Sequence, residues 1–290
     1  MNEHSPVWPG GVVDLHIHGV EGFETRSADP DTMLRIAGIQ GGAGVSAVLL
    51  SIYPGPARAM REQMAAVKTA MARQAPGSRA RILGVHLEGP FLNPARCGAL
   101  DPASFAEARE PVWRELIEGF EEIVRVVTIA PEKEGALGLV RVMAKGGIRV
   151  NMGHSDATYA EAEAGFRAGA RGITHLFNGM RGFHHREPGI AGFGLLQREV
   201  YVEVIGDLVH LRREALELVF RTKDPGRILL VSDAVRATRV SKGTAPRGER
   251  GLLGGAMALP AVVEQLIDQD FEEEAVMKAA TTNPRAYLES

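Results

Sequence analysis

The stretch Asp14-Leu15-His16-Ile17-His18-Gly19 ends an apolar, strand-like run with two histidines spaced two residues apart. Side chains alternate between the two faces of a strand, so we expect both imidazoles on one face. Two imidazoles on one face make half of a divalent metal site. A pair of hydrogen-bonded core histidines explains the motif alone equally well, since histidines are often buried without binding metal.

Seven more apolar, strand-like runs follow along the chain, and several also end in a side chain that can bind metal. The eight predicted strands span residues 11–18, 45–52, 81–88, 123–130, 148–154, 172–177, 200–206 and 228–233. Helices are predicted at residues 31–40, 57–73, 112–119, 135–145, 159–168, 212–221, 257–268 and 272–280. Alternating strands and helices predict parallel pairing with right-handed crossovers. Eight such units close into one α/β domain, a (β/α)8 TIM barrel over residues 1–290.

A dinucleotide-binding Rossmann fold also alternates strands and helices, but it requires a glycine-rich fingerprint after the first strand. The histidine pair occupies that place in this chain. Two connections, residues 182–195 and 236–253, are predicted to be long loops. Both follow candidate strands and are expected at the catalytic face, where long loops are often functional. Mobile surface insertions are the alternative interpretation.

Composition narrows the function classes. The chain has 290 residues, 45% of them hydrophobic and 24% charged, as in ordinary globular proteins. A net charge of −3 without a basic cluster argues against a nucleic-acid partner. The apolar runs are far shorter than the ~20 residues of a membrane span, and the first residues lack a signal-like apolar region. A cytoplasmic enzyme without a membrane partner is therefore expected. The single cysteine, Cys97, excludes an internal disulfide and is interpreted as a small filler residue.

Three residues at the ends of other strands have the composition of a catalytic metal centre. Glu88 ends the third predicted strand, His154 the fifth and His175 the sixth. Each histidine alone is more often structural than a ligand. Two imidazoles and one carboxylate together, with room for water, are typical of catalytic zinc. Such a set also accepts iron, manganese or cobalt, so we expect one or two divalent ions without a fixed identity.

Asp233 and His210 are the candidates for proton transfer and carbonyl activation. Asp233 ends the eighth strand, where an unpaired carboxylate suggests a general acid/base or a further ligand. A helix N-cap is the weaker alternative, because the residues that follow do not begin a helix. His210 could hydrogen-bond a substrate carbonyl oxygen as charge develops there, or be an ordinary loop histidine. His86 is equally well explained as a ligand partner or as a packed strand histidine.

In their order and spacing, these blocks resemble the N-acetylglucosamine-6-phosphate deacetylases of the amidohydrolase superfamily. The similarity extends over nearly the whole chain, and the histidine pair alone would indicate only an amidohydrolase. The residues that carry it are 9–19, 86–93, 153–157, 174–180, 186–189, 207–210 and 232–234.

The resemblance implies a metal-dependent deacetylase of the amidohydrolase TIM-barrel type, usually a homodimer. Its substrate would be an N-acetylated amino sugar, foremost N-acetylglucosamine 6-phosphate, with acetate and glucosamine 6-phosphate as products. The resemblance also implies a role for each candidate site residue. Glu88, His154 and His175 would bind the main metal, and His16 and His18 would bind a second one; Asp233 would be the general base and acid, and His210 would polarise the carbonyl. The implied substrate contacts are Asn178, Gly179, Gly98 and Ala99 for the sugar, and Arg186 for the phosphate, in its own chain or across the dimer interface.

Three departures from the family pattern set further expectations. The small β-sandwich of the family is expected to be missing. Leu100 stands where family members commonly have a phosphate-contacting histidine, and Leu253-Gly254-Gly255 replaces a typical Gly-Ser pair near the sugar. A weaker preference for the 6-phosphate is therefore expected. The remaining alternatives are an amidohydrolase for another N-acyl or cyclic amide substrate, and a catalytically silent sugar-binding barrel.

Overall fold

The computed structural model describes residues 11–75, 77–78, 80–241, 243–249 and 251–290. Residues 9 and 10 of the first family-like block lie outside this range. All eight predicted strands are present and form one parallel sheet, joined in chain order. They are β1 (Val12–Ile17), β2 (Val45–Ile52), β3 (Arg81–Glu88), β4 (Val124–Ile129), β5 (Arg149–Met152), β6 (Gly172–Ile173), β7 (Tyr201–Ile205) and β8 (Ile228–Val231).

The first and last strands approach each other and close the sheet into the predicted barrel. The backbone N–H of Asp233 donates to the carbonyl of His16 at 2.9 Å, and the N–H of His18 donates to that of Ala234 at 2.7 Å. The carboxyl ends of all eight strands therefore meet around one opening, where TIM-barrel enzymes have their active sites.

A β-bulge interrupts β1 just before the histidine pair. Its register against β2 shifts between Asp14 and Ile17, and the Asp14 carboxylate accepts the N–H of His16 at 3.3 Å. Leu15 belongs to the apolar cluster inside the barrel, yet the neighbouring His16 also points inward. Because of the bulge, both histidines lie at the barrel mouth, while the earlier residues of β1 pack in the core.

Ten helices cover the barrel in the described part of the chain. They are α1 (Pro30–Gly42), α2 (Ala57–Arg73), α3 (Glu110–Ile117), α4 (Ala136–Lys145), α5 (Tyr159–Ala168), α6 (Gly189–Leu196), α7 (Arg213–Thr222), α8 (Leu259–Asp268), α9 (Glu273–Ala280) and α10 (Thr282–Glu289). No helix there is long and apolar enough to cross a membrane. The predicted helices match eight of these to within a few residues, whereas α6 and α10 were not predicted.

Helix α6 corrects the prediction that residues 182–195 form a loop. Its glycines suggest a loop in sequence, but in the structure they permit close packing. A Cβ on Gly192 would lie 2.3 Å from the Cβ of Pro188. The buried Lys223 ammonium donates to the carbonyls of Gly194 and Gln197 at 2.8 and 2.5 Å and so caps the last turn. Tertiary packing overrides weak helix propensity here.

The second predicted loop, residues 236–253, is mostly irregular, with one short hairpin formed by Arg247–Gly248 and Gly251–Leu252. Another hairpin, Gly19–Val20 with Phe23–Glu24, follows β1. Both hairpins lie at the carboxyl-end opening of the barrel. The absence of a β-sandwich stays a prediction.

Candidate active site

Glu88, His154 and His175 converge at the barrel mouth as the sequence predicts. Glu88 Oε1 lies 3.1 Å from the Nε2 atom of each histidine, and the two Nε2 atoms are 3.1 Å apart. Ligand atoms about 2.0 Å from a tetrahedral zinc are separated by about 3.3 Å. The three atoms thus have the mutual spacing that three ligands of one such cation would require.

A hydrogen bond of His154 determines which of its ring nitrogens carries the proton and which has a lone pair toward the cluster. Its Nδ1 lies 3.0 Å from the carbonyl oxygen of Arg96, which can only accept a hydrogen bond. Nδ1 therefore carries the proton, and in the neutral ring Nε2 presents a lone pair toward the Glu88 carboxylate. That arrangement is repulsive unless a proton or a metal cation lies between them. The donor set consequently fits a divalent cation.

A second group lies beside the first and shares Glu88. His16 Nε2 and His18 Nε2 are 3.2 Å apart, and they lie 3.4 and 3.9 Å from Asp233 Oδ1. Glu88 Oε2 is 3.2 Å from His18 Nε2, while Glu88 Oε1 faces the other group. Glu88 thus contacts both groups of candidate ligands and could contribute to a cation site in either. Burial raises the pKa of Glu88, but the four imidazoles around its carboxylate outweigh burial and hold that pKa well below its usual value.

A buried polar chain beneath the second group orients His16. Its Nδ1 lies 3.2 Å from Glu203 Oε2 on β7, so Nδ1 carries the proton and Nε2 faces the metal-binding atoms. Asn151 donates to Glu203 Oε1 at 2.6 Å, and the Tyr287 hydroxyl of α10 donates to the Asn151 carbonyl oxygen. Sequence reasoning missed Glu203, although a carboxylate inside a buried, apolar strand was an available signal.

His86 packs below the cluster and does not line the cavity. Its ring nitrogens lie 3.0 Å from the Ser51 hydroxyl and 2.8 Å from the Thr128 hydroxyl. Burial and the charge of His16 lower the pKa of His86 well below its usual value. The packed-strand interpretation of His86 is therefore the correct one.

His210 reaches the same cavity from the loop after β7, and Asp207 holds it there. His210 Nδ1 lies 2.8 Å from Asp207 Oδ2, and Asp207 Oδ1 accepts the backbone N–H groups of Val209 and His210. Burial lowers the pKa of His210, but the hydrogen bond and charge of Asp207 outweigh burial and raise it above its usual value. Asp207 thereby favours the protonated imidazole, in which Nε2–H can donate.

Three residues of the site adopt left-handed backbone conformations. The φ angles are 45° at His154, 29° at His175 and 47° at Asp233, each just past the end of a barrel strand. Side chains other than glycine rarely adopt positive φ. Such strain often occurs at functional sites, where the surrounding structure holds it in place.

A cavity of about 660 Å³ opens above these groups. Of the predicted substrate-binding residues, Gly98, Ala99, Asn178 and Gly179 line it, as does Leu100. Gly179 has φ 56° and packs on His154, where a Cβ would approach the ring nitrogen to 2.9 Å. Arg186 does not line this cavity; it is exposed, with Nη1 3.0 Å from His185 Nε2. The structure thus gives Arg186 no contact with the cavity of its own chain.

Comparison with known proteins identifies close relatives, although no protein-family model matches the sequence. The N-acetylgalactosamine-6-phosphate deacetylase of Escherichia coli O157:H7 is 32% identical over 270 residues, which cover 88% of this chain and 71% of that protein. The N-acetylglucosamine-6-phosphate deacetylase of Vibrio furnissii is 36% identical over 239 residues, covering 82% of this chain and 59% of that protein. The chain thus spans roughly three fifths to seven tenths of the length of these relatives.

Solved structures show the same barrel. An aspartate-to-alanine mutant of the Mycobacterium smegmatis N-acetyl-D-glucosamine-6-phosphate deacetylase, in complex with N-acetyl-D-glucosamine-6-phosphate, superposes with a TM-score of 0.88 at 28% identity. That match covers 97% of this chain and 77% of the neighbour. The Thermotoga maritima N-acetylglucosamine-6-phosphate deacetylase gives a TM-score of 0.86 at 29% identity, covering 97% and 78%.

Proposed function

Since the chain belongs to the N-acetylglucosamine-6-phosphate deacetylase family, we propose that its cavity hydrolyses the acetamide of an N-acetylated amino-sugar 6-phosphate. The products are acetate and the free amino-sugar phosphate. One observation carries the proposal: the triad of Glu88, His154 and His175 opens onto the same cavity as Asp233 and His210. Metal ligands, a carboxylate base and a cationic hydrogen-bond donor are the groups that amide hydrolysis requires.

We propose that Glu88, His154 and His175 hold the main divalent cation and that His16 and His18 contribute to a second one. Zinc suits this imidazole and carboxylate set, as do iron, manganese and cobalt. A divalent cation in such a site supplies Lewis acidity and lowers the pKa of water.

The protein's own groups divide the proton transfers between them. Asp233 accepts a proton from the attacking water and later delivers it to the leaving nitrogen, as the carbon–nitrogen bond breaks. His210 donates Nε2–H to the acetyl oxygen, where negative charge develops in the transition state. Asp207 raises the pKa of His210, which favours the cationic ring for that task.

The sugar is proposed to be N-acetylglucosamine 6-phosphate, with its galactosamine epimer as the second candidate. The Vibrio furnissii relative and the superposed Mycobacterium smegmatis structure favour the first. The Escherichia coli relative, which acts on the galactosamine compound by its name, favours the second. The two sugars differ only in configuration at C4.

The test is acetate release from both 6-phosphates and both unphosphorylated sugars, with hydantoin as a cyclic-amide substrate. The protein is loaded separately with zinc, iron, manganese and cobalt, and Asp233→Asn is the matched inactive control. We expect turnover of a 6-phosphate with a stoichiometric metal. Turnover of hydantoin alone would assign another amidohydrolase activity. A metal-loaded protein without any turnover would support a silent sugar-binding barrel.

A homodimer is also part of the proposal. Arg186 and Phe183, which is 56% exposed, lie on the surface of the loop before α6. Because Arg186 has no contact with its own cavity, its predicted phosphate contact requires a second copy of the chain. Sedimentation of the wild type against Phe183→Ser tests the association: a wild type that is monomeric at micromolar concentration would remove this part.

A further inference from the structure

A cluster of two arginines and one aspartate lies beside the candidate metal ligands, and the catalytic scheme does not use it. The Nε atom of Arg96 donates to Asp156 Oδ1 at 2.7 Å, and Nη2 of the same side chain lies 2.6 Å from that oxygen. Arg181 donates through Nη2 to Asp156 Oδ2 at 2.8 Å and through Nε to the Asp156 carbonyl oxygen at 2.6 Å. We call this cluster of Arg96, Asp156 and Arg181 the arginine clamp. None of its three side chains lines the cavity, so any effect on the site must pass through other residues.

The arginine clamp joins the loops that follow β3, β5 and β6. Each of these three strands leads to one of the candidate ligands of the main cation, which are Glu88, His154 and His175. The loops also supply residues that line the cavity, among them Gly98 after β3 and Gly179 after β6. A change in the clamp should therefore affect both the candidate ligand atoms and the cavity wall.

Arg96 provides the direct connection to a candidate metal ligand. Its carbonyl oxygen accepts the Nδ1–H of His154 at 3.0 Å, which directs Nε2 of that ring toward Glu88. The backbone N–H of Arg96 donates to the Asn93 carbonyl at 2.9 Å, and its guanidinium is held by Asp156. Arg96 is thus fixed at its backbone and at the end of its side chain. The orientation of the His154 ring therefore depends on where Asp156 holds Arg96.

The position of Asp156 is itself fixed by Glu132, which lies on the loop after β4. Glu132 Oε1 accepts the Asp156 backbone N–H at 2.7 Å, and Oε2 accepts the Ser155 hydroxyl at 2.7 Å. The Asn93 side chain donates to the same carboxylate at 2.9 Å. An isolated exposed ion pair contributes little, because two mobile side chains must be ordered to form it. Asp156 instead offers Arg96 a partner that is already held in place.

We propose that Asp156 is a positioning residue that, through Arg96, holds the His154 imidazole in the orientation that binds the main divalent cation. The cation itself rests on the proposed function. Loss of a hydrogen-bond partner of a metal-binding histidine typically costs ~10- to 100-fold in metal affinity. Here the partner is a backbone carbonyl, which no side-chain substitution removes, so the charged group that places it is the sensitive point. A purely structural role would stabilise the loops and leave metal affinity unchanged.

The first test measures zinc affinity by chelator competition in the wild type and in Asp156→Asn. Asparagine keeps the shape of the side chain, but the negative charge is lost and its NH2 group faces one of the two guanidiniums. We expect the dissociation constant of the tighter zinc ion to rise ~10- to 100-fold. The visible spectrum of the cobalt-loaded protein should change as well, because the ligand geometry changes. Asp31→Asn is the matched control and should alter neither quantity, since Asp31 pairs with Arg73 at 2.6 Å on α1, outside the cavity.

A double-mutant cycle tests the route through Arg96. Arg96→Met should raise the zinc dissociation constant about as much as Asp156→Asn does. The double variant should lose no more than either single variant, because both changes break the same contact. Arg181→Met leaves the contact between Arg96 and Asp156 in place and should cost less. Additive losses in the double variant, or a loss in Arg181→Met as large as that in Arg96→Met, would overturn the proposal.

Hydrogen exchange on the full chain separates positioning from loop stability. The backbone N–H groups of Asn93 and Arg96 donate to the carbonyls of His154 and Asn93, and they should exchange faster in Asp156→Asn because the loop loses its anchor. Faster exchange with unchanged zinc affinity would make Asp156 a structural residue only and overturn the proposal. A wild type that binds zinc more tightly than Asp156→Asn, yet hydrolyses no acetylated sugar, would leave the proposal standing and remove the deacetylase assignment.

Discussion

Replacing Asp207 with asparagine should remove the cationic hydrogen-bond donor without touching substrate or metal. Asp207 Oδ2 accepts from His210 Nδ1 at 2.8 Å and from the Ala256 N–H at 3.0 Å. The amide oxygen of Asp207→Asn can keep the two backbone N–H groups bound by Oδ1. Its NH2 group then faces the Ala256 N–H and His210 Nδ1, so His210 loses its anionic partner.

The expected loss of kcat follows from the groups that set the pKa of His210 once Asp207 is replaced. Burial alone lowers the pKa of this imidazole, and the hydrogen bond and charge of Asp207 are the main factors that raise it. Without them the pKa of His210 falls, so the cationic ring is populated only at lower pH and a neutral ring takes its place. Losing one oxyanion donor costs ~10²- to 10³-fold in kcat. Because a neutral ring can still donate Nε2–H, we expect a loss of kcat at or below the lower end of this range, and a smaller loss in acid, where His210 regains its proton.

The assay is kcat for acetate release as a function of pH, for wild type, Asp207→Asn and His210→Gln. Wild-type activity should fall as pH rises through the raised pKa of His210. In Asp207→Asn this fall should move to lower pH. In His210→Gln it should vanish. Asp268→Asn, an exposed carboxylate at the end of α8, is the control. An unchanged alkaline limb in Asp207→Asn would refute the role given to the pair.

The same pair affects the pH dependence of folding. The pKa of His210 is raised in the folded state, so its contribution is complete below the unfolded value of ~6.5 and is lost as pH rises through the folded one. Burial raises the pKa of Asp207, but the His210 hydrogen bond outweighs it and lowers the folded value. Its contribution is therefore present above ~3.9 and is lost as pH falls through the lowered pKa.

Other variants probe the remaining groups. Asp233→Asn should keep bound metal and lose at least ~10²-fold in kcat, because it removes the general base; near-normal turnover would contradict the scheme. Glu88→Gln should strip the main metal, whereas the double change His16→Ala with His18→Ala should remove at most a second, weaker ion; elemental analysis showing no metal in the double variant would reverse that assignment. Tyr287→Phe should lower the free energy of unfolding by about 1–3 kcal/mol in urea, because it leaves a buried amide oxygen without its donor; an unchanged value would mean that the oxygen finds another partner.

The barrel was predictable because each strand is an apolar run of suitable length with its own turn and helix. Runs such as 45–52 and 81–88 match β2 and β3 at both ends. The candidate metal ligands could be grouped for the same reason, since parallel strands of a closed barrel all end at one opening. Chain order and strand ends alone therefore sufficed to bring Glu88, His154 and His175 together.

What could not be predicted depends on contacts between distant parts of the chain. Helix α6 is stabilised by packing and by the Lys223 ammonium, which a local pattern does not contain. Glu203 and Asn151 are single polar residues in separate strands, and only the closed barrel joins them to Tyr287 beyond α9. The exclusion of Arg186 from its own cavity likewise depends on the path of a loop, about which residue type carries no information.

The strained strand ends combine a predictable feature, the position of a polar residue at the end of a strand, with an unpredicted one, its left-handed backbone. At His154, His175 and Asp233 the chain turns left-handed, so each side chain points into the mouth as its strand ends. Conformations of this kind cost on the order of 1 kcal/mol or more per residue. The hydrogen-bond ladder of the barrel holds them in place, and a cation bound only by the folded state adds stability in proportion to RT ln(1 + [M]/Kd). Because Glu88 contacts both histidines of its group and both of the neighbouring one, a cation at the proposed site would relieve the mutual repulsion of the converging lone pairs. Under the proposed function, metal occupancy should therefore stabilise the barrel mouth as well as serve its chemistry.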